Sequence, residues 1–239
     1  MNGSIWVGYT GIGIRDWGGP SISNVVVKQN HVNDELVAAT DATGWGGTNT
    51  VTNFSFRNNI VRRGFGSGGR VSGEYVNNTF GYSLDAGRYL TDLGAPGGGG
   101  CQLLSSVRYK NNIMAHTNNA SCPVFDAGLV PAVFTGNVLQ SGGSITGNLL
   151  LSGTQRDNLF VGWPTLTGAM GEDARSQLKA GSVALTAGEG GTQAGAFGGD
   201  DPYVLAGIPF VPTITELTVP NTVTQGGTLN ITVKAQTNN

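Results

Sequence analysis

An all-β fold, a right-handed parallel β-helix (solenoid) with a C-terminal β-hairpin tail, is predicted by three observations. The chain repeats one strand-and-corner phrase, its asparagines recur at coil-like intervals, and 40 of its 239 residues are glycine, which suits a chain with many corners. The phrase is an alternating strand, a polar pair ending in Asn, and a further apolar residue. It reads Asn24 to Val32 (NVVVKQNHV), Asn53 to Val61 (NFSFRNNIV), Gly73 to Phe80 (GEYVNNTF), Val107 to Met114 (VRYKNNIM) and Ala132 to Leu139 (AVFTGNVL). Counting from the Asn, apolar residues recur five before, three before and two after. Val25, Val27 and Val32 fill these places first; Phe54, Phe56 and Val61 second; Val107, Tyr109 and Met114 fourth. Gly73 breaks the pattern in the third copy.

Alternation before the Asn marks a strand with one face buried, and the jump in apolar spacing from two to five residues across it marks a corner. Asparagine tolerates the left-handed backbone, and its amide can hydrogen-bond an identical amide one level away. The expected corner stack is Asn30, Asn59, Asn78, Asn112, Asn137 and Asn158, with steps of 29, 19, 34, 25 and 21 residues. Nineteen to twenty-one residues is therefore the basic coil. One coil cannot close a core, whereas parallel stacking at about 4.8 Å per level pairs each strand with its equivalents above and below. Hairpin signals are scarce through residue 160, against an antiparallel sandwich. The usual rule for parallel crossovers supplies the right hand.

The expected organisation is a β-helix over 1–200, a Pro-containing linker over 201–212 with Pro202, Pro209 and Pro212, and a tail over 213–239. In the tail, Glu216 to Val219 and Leu229 to Lys234 alternate with period two around Gln225-Gly226-Gly227, which reads as a hairpin. Such a hairpin is marginal alone; it must pack on the β-helix, join a partner or lead into another domain. At the other end, Ser4-Ile5-Trp6-Val7 alternates at once, as if the chain starts inside a repeat array with an open edge. Self-association through open β-helix ends is one expected consequence, a missing set of N-terminal coils the other.

The phrases Gly11-Ile12-Gly13-Ile14, Ser23 to Asn30 and Phe56 to Ile60 resemble coils of right-handed parallel β-helix proteins of the pectin lyase-like superfamily. The stretch from Asp157-Asn158-Leu159-Phe160 through Leu178 to Ser182 and on to Gly195 to Gly199 is similar to the closing segment of secreted bacterial members. Residues 203–239 resemble the tails of exported Bacteroidetes β-helix proteins. The resemblance implies an extracellular or cell-surface location, although this chain shows no signal peptide. It also implies polysaccharide as the partner, and for a lyase, clustered acidic calcium ligands with a basic residue that removes a proton. No such acidic cluster is visible here.

Composition excludes other classes. With 13 Lys+Arg against 15 Asp+Glu the formal charge is −2 and 12% of residues are charged, so no nucleic-acid partner is expected. No apolar run approaches a membrane span. Cys101 and Cys122 lack metal-site spacing and read as two small thiols or a disulfide. No cofactor is expected, calcium entering only if the chain is a lyase.

Unequal coil steps place insertions at Thr40 to Thr50 and at Leu84 to Cys101, on either side of a coil with none. Leaving one side, they would frame a groove over the short coil, which carries Arg62, Arg63, Phe65 and Arg70. Trp45, Arg62, Arg63, Arg70, Arg88 and Tyr89 are the candidate substrate-binding residues. Aromatic faces stack on sugar rings and guanidinium forks hold carboxylates. Glycoside hydrolysis needs two carboxyl groups roughly 5–10 Å apart, and Asp85 and Asp92 are a loop pair that could meet at such a distance, although acids so placed are more often plain surface residues. The expected function is an exported or surface β-helix module that binds polysaccharide or displays loops without catalysis. A polysaccharide lyase or glycoside hydrolase, and a self-assembling fibre subunit, are the alternatives.

Overall fold

The computed structural model describes residues 4–8, 11–16, 20–33, 35–40, 49–62, 64–68, 70–80, 102–103, 105–115, 124–125, 133–139, 146–163, 171, 173–205, 213–220, 222, 226 and 231–236. The chain divides into two units, Met1–Tyr203 and Val204–Asn239.

In the first unit, β1 (Ser4–Gly8) and β2 (Gly11–Asp16) precede the repeats. The first coil holds β3 (Ile22–Ser23), β4 (Val26–Lys28), β5 (His31–Val32) and β6 (Glu35–Thr40). The second, uninterrupted, holds β7 (Val51–Arg57), β8 (Ile60–Val61) and β9 (Gly64–Gly68). Next come β10 (Val71–Val76), β11 (Thr79–Phe80) and β12 (Gln102–Leu103), then β13 (Val107–Lys110), β14 (Ile113–Met114) and β15 (Val124–Phe125). The stack closes with β16 (Phe134–Thr135), β17 (Val138–Leu139), β18 (Leu149–Leu150) and a short helix α1 (Gly153–Asp157).

Strands at equivalent places pair in parallel, and the chain is a parallel β-helix. A first sheet runs β16-β13-β10-β7-β3, with β4 also on β7. A second runs β18-β17-β14-β11-β8-β5, and a third runs β1-β2-β6-β9. The register is that of the repeat: Phe56, Tyr75 and Tyr109 stand opposite one another, as do Val61, Phe80 and Met114. All the expected inward residues are buried except Val25, which is partly buried against the core. Phe54, Phe56, Phe65, Tyr75, Phe80, Tyr109 and Phe134 form an aromatic column. Tyr75 and Tyr109 stack with ring planes 2° apart, and Phe65 lies 4.6 Å from Phe80. Gly73 keeps the column closed, because a Cβ there would sit 2.4 Å from the Phe54 carbonyl oxygen and 2.5 Å from its ring.

At the corner between the first and second sheets the two residues of each polar pair have different tasks. The left-handed residue is the first of them: Gln29, Asn58, Asn77 and Asn111 have φ of 51° to 55°, and Gly136 has 66°. The stacked residue is the second, so the expected left-handed corner shifts by one position. The ladder runs Asn30, Asn59, Asn78, Asn112, Asn137 and Asn148. Each Oδ1 below accepts both the backbone N–H and the Nδ2 of the rung above, at 2.8–3.2 Å. Each Nδ2 from Asn59 onward also donates to a carbonyl of the previous coil, Asn78 to Phe56 and Asn112 to Tyr75, both at 2.8 Å. Asn158, expected as a rung, instead caps the C-terminus of α1. Its place is taken by Asn148, only 11 residues after Asn137. A full coil does not fit in that interval, so the last rung closes a shortened turn.

The N-terminal strand also departs from expectation. β1 is antiparallel to β2, with Gly8 paired to Gly11, so a hairpin rather than another coil forms the edge of the third sheet. Two residues separate the paired glycines, whereas a parallel crossover needs a dozen or more.

After α1 the chain turns through short 3₁₀ segments at Ala174–Ser176, Val183–Leu185 and Glu189–Gly191. It then runs back along the corner toward the first coil as a strap. Asn111 Oδ1 accepts from the Glu189 N–H, Thr79 Oγ1 from the Ala196 N–H, and Asn58 Nδ2 donates to the carbonyls of Ala196 and Gly198. Gln29 donates to Asp201 and to the Pro202 carbonyl. The strap explains why Ile60, Ile113 and Val138, one residue beyond the ladder, are buried as well: the second sheet is covered on both faces.

The second unit contains β19 (Thr213–Thr218) and β20 (Thr232–Gln236), paired antiparallel with one bulge between Ile214 and Glu216.

Candidate functional site

The short second coil builds its third strand from Gly64-Phe65-Gly66-Ser67-Gly68. Phe65 points into the core, packed on Tyr75, Phe80 and Tyr109. By strand alternation Gly64, Gly66 and Gly68 take the places opposite in direction to Phe65, as a glycine strip. Phe65, expected near the groove, is therefore part of its support. On the neighbouring β6, Leu36 and Ala38 are buried, and Glu35, Val37 and Ala39 stand in register with the three glycines. In the order of the third sheet β9 is the last strand.

Two of the candidate arginines lie at the ends of this strip. Arg62 follows β8, its backbone N–H donating to the Val32 carbonyl at 2.8 Å, and is half-buried. Arg70 is exposed just before β10, its carbonyl accepting from the Val51 N–H at 3.1 Å. The five extended residues of β9 hold them apart by roughly 17 Å at about 3.3 Å each, so they flank the strip rather than cluster. Trp45, Arg63, Arg88 and Tyr89 lie outside the described residues, as do Asp85, Asp92, Cys101 and Cys122. Most of the insertion expected at Thr40 to Thr50 lies outside the described residues; at its start, Ala39 is level with Gly68. The insertion expected at Leu84 to Cys101 lies wholly outside the described residues; the last described residue before it, Phe80, is level with Val61.

The outer face of the first sheet differs in kind. Glu74 pairs with Arg57 and with Arg108, and Ser55 Oγ donates to it at 2.9 Å. At its margins Lys110 pairs with Glu189 and Lys28 with Asp201, tying the strap down. Lys110 holds the Glu189 carboxyl below the usual range by hydrogen bonding and charge. These residues were not singled out from the sequence, although Ser55, Glu74 and Arg108 occupy the same outward place of successive repeats. Their charges are matched within the chain.

One further buried polar pair joins the two ends of the strap segment. Tyr203 donates its hydroxyl to Asp173 Oδ2 at 3.2 Å, and Asp173 Oδ1 accepts from the Ala174 N–H. Burial first, then the Asp173 charge, pushes the Tyr203 hydroxyl up to about 12. Among the described residues no three His, Cys, Asp or Glu gather as a cation site, and no helix is long and apolar enough to cross a membrane.

No family model, curated protein or solved structure matches the chain.

Proposed function

We propose that this chain is an exported or cell-surface β-helix module of the pectin lyase-like type that binds polysaccharide without catalysis. The observation that supports the reading is β9, Gly64-Phe65-Gly66-Ser67-Gly68, in which glycine stands on either side of the buried Phe65, with Arg62 before the strand and Arg70 after it. A sugar chain lies against backbone there, with Arg62, Arg63 and Arg70 of the short coil taking uronate carboxylates and Trp45, Arg88 and Tyr89 contributed by the two bordering insertions.

The test is retention on immobilised uronate-containing and neutral polysaccharides. Arg63→Ala, Trp45→Ala and Gly66→Leu, the last placing a side chain on the strip, should each weaken retention by about tenfold, or roughly 1.4 kcal/mol. Equal retention by all three variants and the parent chain would remove the site. New unsaturated or reducing ends in the same panel, assayed with and without calcium, would turn the reading to a lyase or hydrolase.

A further inference from the structure

The hairpin of the second unit is amphipathic in a way its own two strands cannot satisfy. Leu217 stands opposite Val233 and Ile214 opposite Ala235, so these four share a face, and Ile231 extends it by strand alternation. Glu216 stands opposite Lys234, with their ion pair at 2.5 Å, and Thr218 opposite Thr232, on the other face. The apolar face is open: Ile214 and Leu217 are 60% exposed, Val233 53% and Ile231 52%, with Val219 beside them at 45%. A two-stranded ribbon is marginal in water without a further layer.

We propose that this face is an interface between two copies of the chain, packed hairpin on hairpin about a twofold axis. An isologous contact requires a patch that complements itself, and this one does. Its apolar residues fall on both strands around the central Leu217–Val233 pair, and the Glu216–Lys234 ion pair lies on the opposite face, away from the contact between the two copies. Area agrees: the exposed side chains offer roughly 500 Å², in the upper part of the range for the largest patch on a monomer. Two such faces together bury at most about 1,000 Å², in the range of weak, transient interfaces, which suits a dimer that forms only at micromolar concentration or above. The stacking of two layers about 10 Å apart is the ordinary arrangement of antiparallel sheets.

Sedimentation velocity of the full chain from about 1 to 100 μM tests this. The chain should pass from monomer to dimer across the series, Leu217→Glu should raise the dissociation constant at least tenfold, and Glu216→Gln, on the other face, should leave it within about twofold. A monomer throughout, as expected if the face is covered by the chain itself or by a different protein, overturns the proposal. So does a dimer indifferent to Leu217→Glu, or one weakened equally by both substitutions.

Discussion

At the scale of single residues, adjacent asparagines with the same side chain do unlike work. Asn78 is fully buried: its Nδ2 donates to the Phe56 carbonyl and to Asn112 Oδ1, while its Oδ1 accepts twice from Asn59. Asn77, one residue earlier, is left-handed, and its Oδ1 is buried without a hydrogen-bond partner among the described residues. Asn78→Ala strands the Asn59 N–H and the Phe56 carbonyl, and should cost about 3–5 kcal/mol. Asn77→Gly keeps the left-handed backbone and removes an unpaired acceptor, and should change stability by less than about 1 kcal/mol. Urea denaturation of the two variants measures the contrast; equal losses would refute the division of labour. The stack itself was legible because the spacing of Val25, Val27 and Val32 around Asn30 demands a corner. Which asparagine bends the chain was not, since Asn58-Asn59, Asn77-Asn78 and Asn111-Asn112 are identical pairs. Gln29 and Gly136 at the first place of the other copies were the available clue. Gly136 takes the place because a Cβ there would meet Asn111 Oδ1 at 2.2 Å.

At the scale of elements, the strap is held at four levels through residues that are far apart in sequence, from Glu189 on Asn111 to Pro202 on Gln29. Its presence was readable from Ile60-Val61, Ile113-Met114 and Val138-Leu139, where apolar residues on both faces of a short strand call for two covers. The glycine strip was readable from the alternation of Gly64, Phe65 and Gly66, but assigning Phe65 inward required the third sheet, which carries no repeat asparagine. The end of the strap is anchored by Tyr203 on Asp173, and this contact has a pH signature. With the folded hydroxyl raised to about 12 from an unfolded value of about 10, the folded state binds the proton more tightly. The stabilisation is therefore whole below pH 10 and is lost as pH rises from about 10 toward 12, with a slope of at most about 1.4 kcal/mol per unit. Tyr203→Phe should flatten that alkaline limb while lowering stability at pH 8 through the unpaired Asp173 Oδ2. An unchanged limb in the variant would place the alkaline sensitivity elsewhere.

At the scale of the whole β-helix, a solenoid held only by neighbouring coils would fray from its ends, each coil opening with its own free energy. The strap alters that expectation, because it ties the first coil at Lys28 and Gln29 to the fourth at Lys110 and Asn111 through one continuous segment. The exposed ion pairs at either end add little by themselves. The interior contacts matter more: Asn58 Nδ2 reaches two strap carbonyls while itself buried, and Ala184, Ala194 and Ala196 are buried with it. Opening the first coil therefore entails releasing the strap, and the coils should exchange as one cooperative body. Asn58→Gly together with Asn111→Gly preserves both left-handed corners while deleting the side-chain contacts to the strap. Native-state hydrogen exchange at residues 22–32 and 134–139 reads the outcome. The parent chain should show opening free energies for these two segments within about 1 kcal/mol of each other, and the double variant should show the first segment falling by about 2 kcal/mol or more relative to the second. If the two segments already differ by that amount in the parent chain, or remain together in the variant, the strap does not couple the coils.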